Sequence, residues 1–107
     1  MTKDLLAARL ERKRLKREYS SLFEDLSALF YRIDPMGINF EVNPDEYDAE
    51  TGTILPGVLQ LETVGEIEQV IREEFAVWFG ACPIEAAMYE ELATETLSVL
   101  SRYRLAT

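Results

Sequence analysis

The side chains of this chain that are best suited to chemistry lie between positions 45 and 50. Four carboxylates, Asp45, Glu46, Asp48 and Glu50, surround Tyr47. Carboxylates at this spacing can bind a cation or a basic protein surface, and an aromatic among them can anchor a protein partner. The same acids also suit the first turn of a helix, and Tyr47 also suits the core-facing side of a short helix. The sequence leaves both interpretations open.

Metal and nucleophile chemistry have little support in the sequence. An EF-hand loop needs ligands at fixed positions and a glycine at the sixth, and no frame around residues 45–50 meets this pattern. The chain contains no histidine and a single cysteine, Cys82, so it lacks His-based triads and His-ligated zinc. We predict no catalytic residue and no cofactor. A carboxylate-based metal-dependent enzyme or cation binder is kept as an alternative.

Charge is divided unevenly along the chain. Residues 1–18 hold seven basic and three acidic side chains, whereas residues 41–95 hold 14 acidic side chains and one basic one, Arg72. Such a separation bears on partners rather than on fold. It predicts a basic protein partner for the acidic part. It argues against nucleic acid, because the body would repel phosphates and no recognition motif accompanies the basic run.

The basic run near the start predicts self-association. Each copy would lay this segment on the acidic face of a second copy in a two-fold pair, and the nearby leucines would be covered there. The alternative is a monomer whose basic segment folds back on its own body or frays. The predicted self-association residues are Arg12, Lys13, Arg14, Lys16 and Arg17, with Leu5, Leu6, Leu10 and Leu15 as the covered leucines.

No membrane segment is expected. The chain has no stretch of about 20 apolar residues, and the basic run lacks the bulky apolar face of an interfacial helix. No secretory signal is visible, and a single cysteine is typical of a reducing compartment. The expected location is the cytoplasm.

Helical periodicity dominates the first third of the sequence. Residues 3–33 are predicted to form one long helix, because apolar side chains recur there at alternating spacings of 3 and 4. Pro35 should end it at Asp34, and residues 34–37 suit a type I turn. Residues 38–42 alternate apolar and polar side chains, which predicts a short extended segment.

Three further helical segments follow. A helix over residues 44–61 should be broken by Gly52, Pro56 and Gly57, with Thr53 capping a second start. Thr63 and Glu66 form a capping box that opens the next helix, whose buried face includes Phe75 and Trp78 and which ends at Gly80. A last helix begins near Pro83, with an apolar stripe formed by Ile84, Met88, Leu92, Val99, Leu100 and Tyr103.

Together these patterns predict an all-α fold of three to four helices. The long N-terminal helix and the broken second helix would pack in a single domain over residues 1–107. Residues 1–17 would form a basic helical arm, and residues 18–107 an acidic bundle.

Three motifs resemble those of a group of small, stand-alone, all-helical bacterial proteins of unknown function. They are the turn at residues 34–39, the acidic segment 45–50, and the helix end at residues 74–80. The resemblance covers roughly residues 22–80 and implies no catalytic residue. By analogy with toxin-neutralising proteins of this size, we expect a non-catalytic, immunity- or antitoxin-like protein-binding module. A self-associating structural subunit is a further alternative.

Overall fold

Five α-helices make up the described part of the chain. The structure is a computed structural model and describes residues 5–34, 47–80 and 84–106. The predicted turn after Asp34, the extended segment 38–42, the helix start at residues 43–44 and Cys82 fall outside these ranges. The described residues contain no strand, so the all-α prediction is confirmed. The helices are α1 (Leu5–Glu18), α2 (Ser20–Ile33), α3 (Asp48–Val58), α4 (Val64–Phe79) and α5 (Ala86–Ala106).

The prediction of one long N-terminal helix is wrong, because the helix is interrupted at Tyr19. This residue has φ −127° and ψ 43°, and it separates α1 from α2. The two serines that follow, Ser20 and Ser21, favour helix starts over helix interiors, and such pairs are common at kinks. The kink lets α1 pack on α3 while α2 packs on α5.

The predicted break in the second helix is also wrong. Helix α3 continues from Asp48 to Val58 with Pro56 inside it. Thr53 does not restart the helix, because its hydroxyl donates to the carbonyl of Glu50, at 3.1 Å, and accepts from the indole N–H of Trp78, at 2.9 Å. Burial on both sides of Pro56 explains why tertiary packing overrides the helix breaker: Ile54, Leu55 and Val58 are all fully buried.

The predicted start and end of α4 are confirmed. The backbone N–H of Glu66 donates to the Thr63 hydroxyl, at 3.3 Å, and that hydroxyl donates to the Glu66 carboxylate, at 2.8 Å. Gly80 ends the helix with a φ of 71°, a value that favours glycine.

The connection between α3 and α4 is held by α5. After the C-terminal end of α3, the Arg104 guanidinium donates hydrogen bonds to the backbone carbonyls of Leu59 and Leu61.

The core lies around α3, which packs against α1, α2 and α4, while α5 packs against α2 and α4. A chain of edge-to-face aromatic contacts crosses it, with Phe30 against Tyr47 and Phe75, and Phe75 against Tyr89. Phe75 is fully buried. Trp78, predicted to be a core residue, is only partly buried.

Among the described residues, none of the helices combines the length and apolar content needed to cross a bilayer.

Helices α3 and α4 approach each other closely at Gly57. A Cβ atom added there would lie 2.9 Å from Cγ1 of Val70, closer than such atoms pack in proteins. We expect Gly57→Ala to destabilise the fold by about 1–3 kcal/mol through overpacking. Gly65→Ala is the matched control, because nothing lies within 4 Å of its added Cβ and alanine has the higher helix propensity. Urea denaturation of both variants measures the difference, and equal effects would contradict the close approach.

Candidate functional site

The structure places Tyr47 in the core rather than on a recognition surface. Its side chain is fully buried, and its hydroxyl donates to Oδ1 of Asp34, at 2.7 Å. Glu50 is also buried, with 4% exposure. The core-facing interpretation of Tyr47 therefore fits, whereas the burial of Glu50 was not expected. Neither side chain can anchor a partner in this conformation. Asp45 and Glu46 lie outside the described residues, so their predicted role stays a prediction.

Asp48 connects the three N-terminal helices. It is the first residue of α3, its Oδ2 lies 2.6 Å from Nζ of Lys16 on α1, and its Oδ1 accepts a hydrogen bond from the Ser27 hydroxyl on α2. Its position at a helix N-terminus further favours the negative charge. One predicted partner-binding residue is thus paired with a predicted self-association residue of the same chain.

The basic segment folds back on its own body. Arg12 packs against Gly52, where an added Cβ would lie 3.2 Å from the Arg12 Cβ, and Leu15 is fully buried. Lys13 and Arg17 are exposed. This arrangement corresponds to the monomer alternative for the arm and places one of the predicted interface leucines, Leu15, inside the fold. Association through the remaining residues stays a prediction.

Arg14 is held within α1. Its guanidinium donates to the carboxylates of Glu11, at 3.1 Å from Nε, and Glu18, at 2.6 Å from Nη1. The hydrogen bond from Arg14 lowers the pKa of Glu11 below its ordinary value, because the ionised carboxylate is the better acceptor. Both carboxylates are about half exposed, so these pairs add little to stability.

A cleft of about 350 Å³ opens where α1, α2 and the start of α3 meet. Its surface is mostly apolar, with the ring of Phe23 on one side and the Lys16–Asp48 pair on the other. The Lys16 ammonium lies 5.4 Å from the centre of the Phe23 ring, within cation–π range. The described lining residues are Lys16, Ser20, Phe23, Glu24, Ser27, Ala28, Tyr31 and Asp48.

Exposed acidic side chains are also numerous on α4 and the first half of α5. Between residues 62 and 95 the sequence has nine acidic side chains and one basic one, Arg72. Arg72 is already engaged, because it pairs with Glu68 at 2.9 Å and stacks 4.3 Å from the centre of the Tyr89 ring. The exposed acids on these two helices and just before α5, here called the α4–α5 acidic surface, are Glu66, Glu73, Glu85, Glu90 and Glu91.

The described residues hold no group of three or more acidic or cysteine side chains close enough to bind a metal ion. The carboxylate-based metal alternative therefore gains no support from the geometry of these ranges.

Sequence reasoning missed the cleft and did not single out the exposed acids of α4 and α5. The signal for the cleft is Ser27, a polar residue inside the apolar stripe of α2, where it is 5% exposed and faces Asp48. A polar side chain at a core position needs a polar partner nearby, which here comes from a residue 21 positions later. For the surface, the density of charge at residues 45–50 gave no measure of exposure.

Comparison with known proteins gave no match among family models, curated proteins or solved structures. The resemblance to small bacterial proteins of unknown function therefore stays a prediction.

Proposed function

We propose that the protein is a non-catalytic binding module that recognises a basic protein through the α4–α5 acidic surface. The observation that carries this proposal is the exposure of five acidic side chains on α4, just before α5 and on α5. The one basic residue between positions 62 and 95, Arg72, is held by Glu68 and Tyr89. An excess of exposed charge of one sign raises the encounter rate with an oppositely charged partner.

An immunity- or antitoxin-like role is the form of this function that we propose, with a basic toxin domain as the partner. The support is chemical: the chain has net charge −9 and contains no histidine, so a His-based catalytic triad cannot form within it. We place this role in the cytoplasm, because a chain with a single cysteine cannot rely on an internal disulfide for stability.

Affinity capture with matched baits tests the proposal. The full-length chain is immobilised alongside a variant of the surface, Glu90→Lys with Glu91→Lys, and a control variant with the same charge change on α1 and α2, Glu18→Lys with Asp25→Lys. The proposal predicts one basic protein that the wild type and the control retain, that the surface variant loses, and that salt elutes. Retention by all three baits alike would contradict it.

Self-association is the second candidate, and one observation favours it. Leu6 and Leu10 lie one helical turn apart on α1, and their side chains are 64% and 59% exposed. Between them and after them, Arg9, Lys13 and Arg17 are exposed as well, so a second copy could cover the leucines while its acidic surface meets these cations.

We expect sedimentation velocity at low salt to show a dimer that dissociates when Leu6 and Leu10 are both replaced with serine. The control is Leu105→Ser, which changes another exposed leucine, 87% accessible, at the far end of α5. A wild-type chain that stays monomeric at about 100 µM, well above the range of stable dimers, would reject this candidate. A dimer that persists unchanged in both the Leu6 and Leu10 double variant and the Leu105 control would also reject this candidate.

A further inference from the structure

We propose that the cleft between α1, α2 and the start of α3 is a binding site for a small primary alkylammonium ligand, and that Lys16, which lines the cleft, holds the Asp48 carboxylate in the absence of ligand. This site is separate from the α4–α5 acidic surface and does not depend on the function proposed for that surface.

The contacts of Lys16 define what the cleft accepts. Its ammonium group is bound 2.6 Å from a carboxylate oxygen of Asp48 and lies 5.4 Å from the centre of the Phe23 ring. A carboxylate together with an aromatic face is the combination that recognises organic cations. Its aliphatic stem belongs to a lining that is mostly apolar, with Ala28 and Tyr31 nearby. An alkyl chain ending in an ammonium group reproduces all of these contacts.

The two members of the ion pair differ in their freedom to move. The Asp48 side chain is 16% exposed and also accepts the hydrogen bond from Ser27, whereas the Lys16 side chain is 48% exposed. Of the two side chains, Lys16 is therefore the one that can turn toward water, while Asp48 stays in place. Departure of Lys16 leaves a largely buried carboxylate without its cation, and a buried charge needs a partner. The vacated place favours another cation.

Charge decides between cationic and anionic ligands. The described lining includes two acidic side chains, Glu24 and Asp48, and one basic one, Lys16. When Lys16 leaves, the cleft keeps two negative charges in a protein of net charge −9. A carboxylate ligand drawn by Lys16 would have to displace Asp48 from it and lie beside Glu24. A cation meets no such opposition.

Three probes of equal chain length distinguish binding of the ammonium group from binding of the alkyl chain or of an anion. They are pentylammonium, 1-pentanol and pentanoate. Each is titrated into the ¹⁵N-labelled full-length protein and into the Lys16→Ala variant, and backbone shifts near Phe23, Ser27 and Asp48 are followed by NMR. Removing the tethered competitor should raise the affinity for pentylammonium about fivefold or more, because the open cleft is then always available. Lys16→Arg is the matched control, since it keeps an occupant and should show no gain.

Asp48→Asn in the Lys16→Ala background should abolish the gain for pentylammonium, and circular dichroism confirms that each variant is folded. Three results would overturn the proposal. They are equal affinity for all three probes, tighter binding of pentanoate when Lys16 is present, or no gain for pentylammonium in the folded Lys16→Ala protein.

Discussion

Replacing Phe75 with alanine is expected to lower the free energy of unfolding by about 3–5 kcal/mol, which is a large part of the stability of a domain this size. The Phe75 ring is fully buried and links α2 to α5, because it contacts Phe30 at a centroid distance of 6.2 Å and Tyr89 at 6.4 Å. Its removal takes away both edge-to-face contacts and leaves a cavity where α4 meets those helices.

Urea denaturation followed by circular dichroism measures this loss, with two matched variants. Phe75→Leu keeps most of the buried volume and should cost clearly less, which leaves a measurable protein if the alanine variant does not fold. Trp78→Ala should also cost less, because Trp78 is only partly buried. A loss of less than about 1 kcal/mol for Phe75→Ala, or a larger one for Trp78→Ala, would contradict the packing described for α4.

The different burial of Phe75 and Trp78 shows what sequence periodicity can and cannot predict. A spacing of three or four identifies the face of α4 that points inward, and Ile67, Ile71 and Phe75 on that face are indeed fully buried. It does not measure depth near the helix end. There Trp78 reaches the edge of the core, and its indole N–H finds the Thr53 hydroxyl on α3.

Local signals succeeded where the chain makes short-range contacts. The capping box of Thr63 and Glu66 and the positive φ of Gly80 depend on neighbours within a few positions, so the sequence is sufficient to predict them. The continuity of α3 through Pro56 depends on packing from three other helices, and the interruption at Tyr19 depends on where α1 finds a partner. Such tertiary effects can override local propensity, and the preference of Ser20 and Ser21 for a helix start is only a weak local sign of the second one.

The same contrast between local signals and tertiary packing applies to the residues of the candidate sites. The sequence by itself shows that the protein is acidic and that its first 18 residues are basic. Which acids face water depends on tertiary structure. Tyr47 lies in the core and Asp48 binds Lys16, whereas Glu66 and Glu73 of α4 and Glu90 and Glu91 of α5 are exposed. Pairing between residues 32 positions apart cannot be inferred from either segment alone.

Reversing the charges of Glu90 and Glu91 is expected to slow association with the basic partner about tenfold or more at low salt. Both side chains are exposed, and they add to the field of the α4–α5 acidic surface without supporting the core. Long-range attraction acts on the encounter step, so the association rate should change more than the dissociation rate. The difference from wild type should shrink as salt rises, because ions screen charges beyond a Debye length of about 8 Å at 0.15 M.

Stopped-flow association kinetics of the captured partner with three full-length proteins provide the most direct measurement of recognition by the α4–α5 acidic surface. The proteins are the wild type, the surface variant Glu90→Lys with Glu91→Lys, and the control variant Glu18→Lys with Asp25→Lys, each followed from low to high salt. We predict a slow, weakly salt-dependent association for the surface variant and nearly wild-type behaviour for the control. Equal slowing by both variants, or association that is fast and independent of salt in all three proteins, would contradict recognition by this surface.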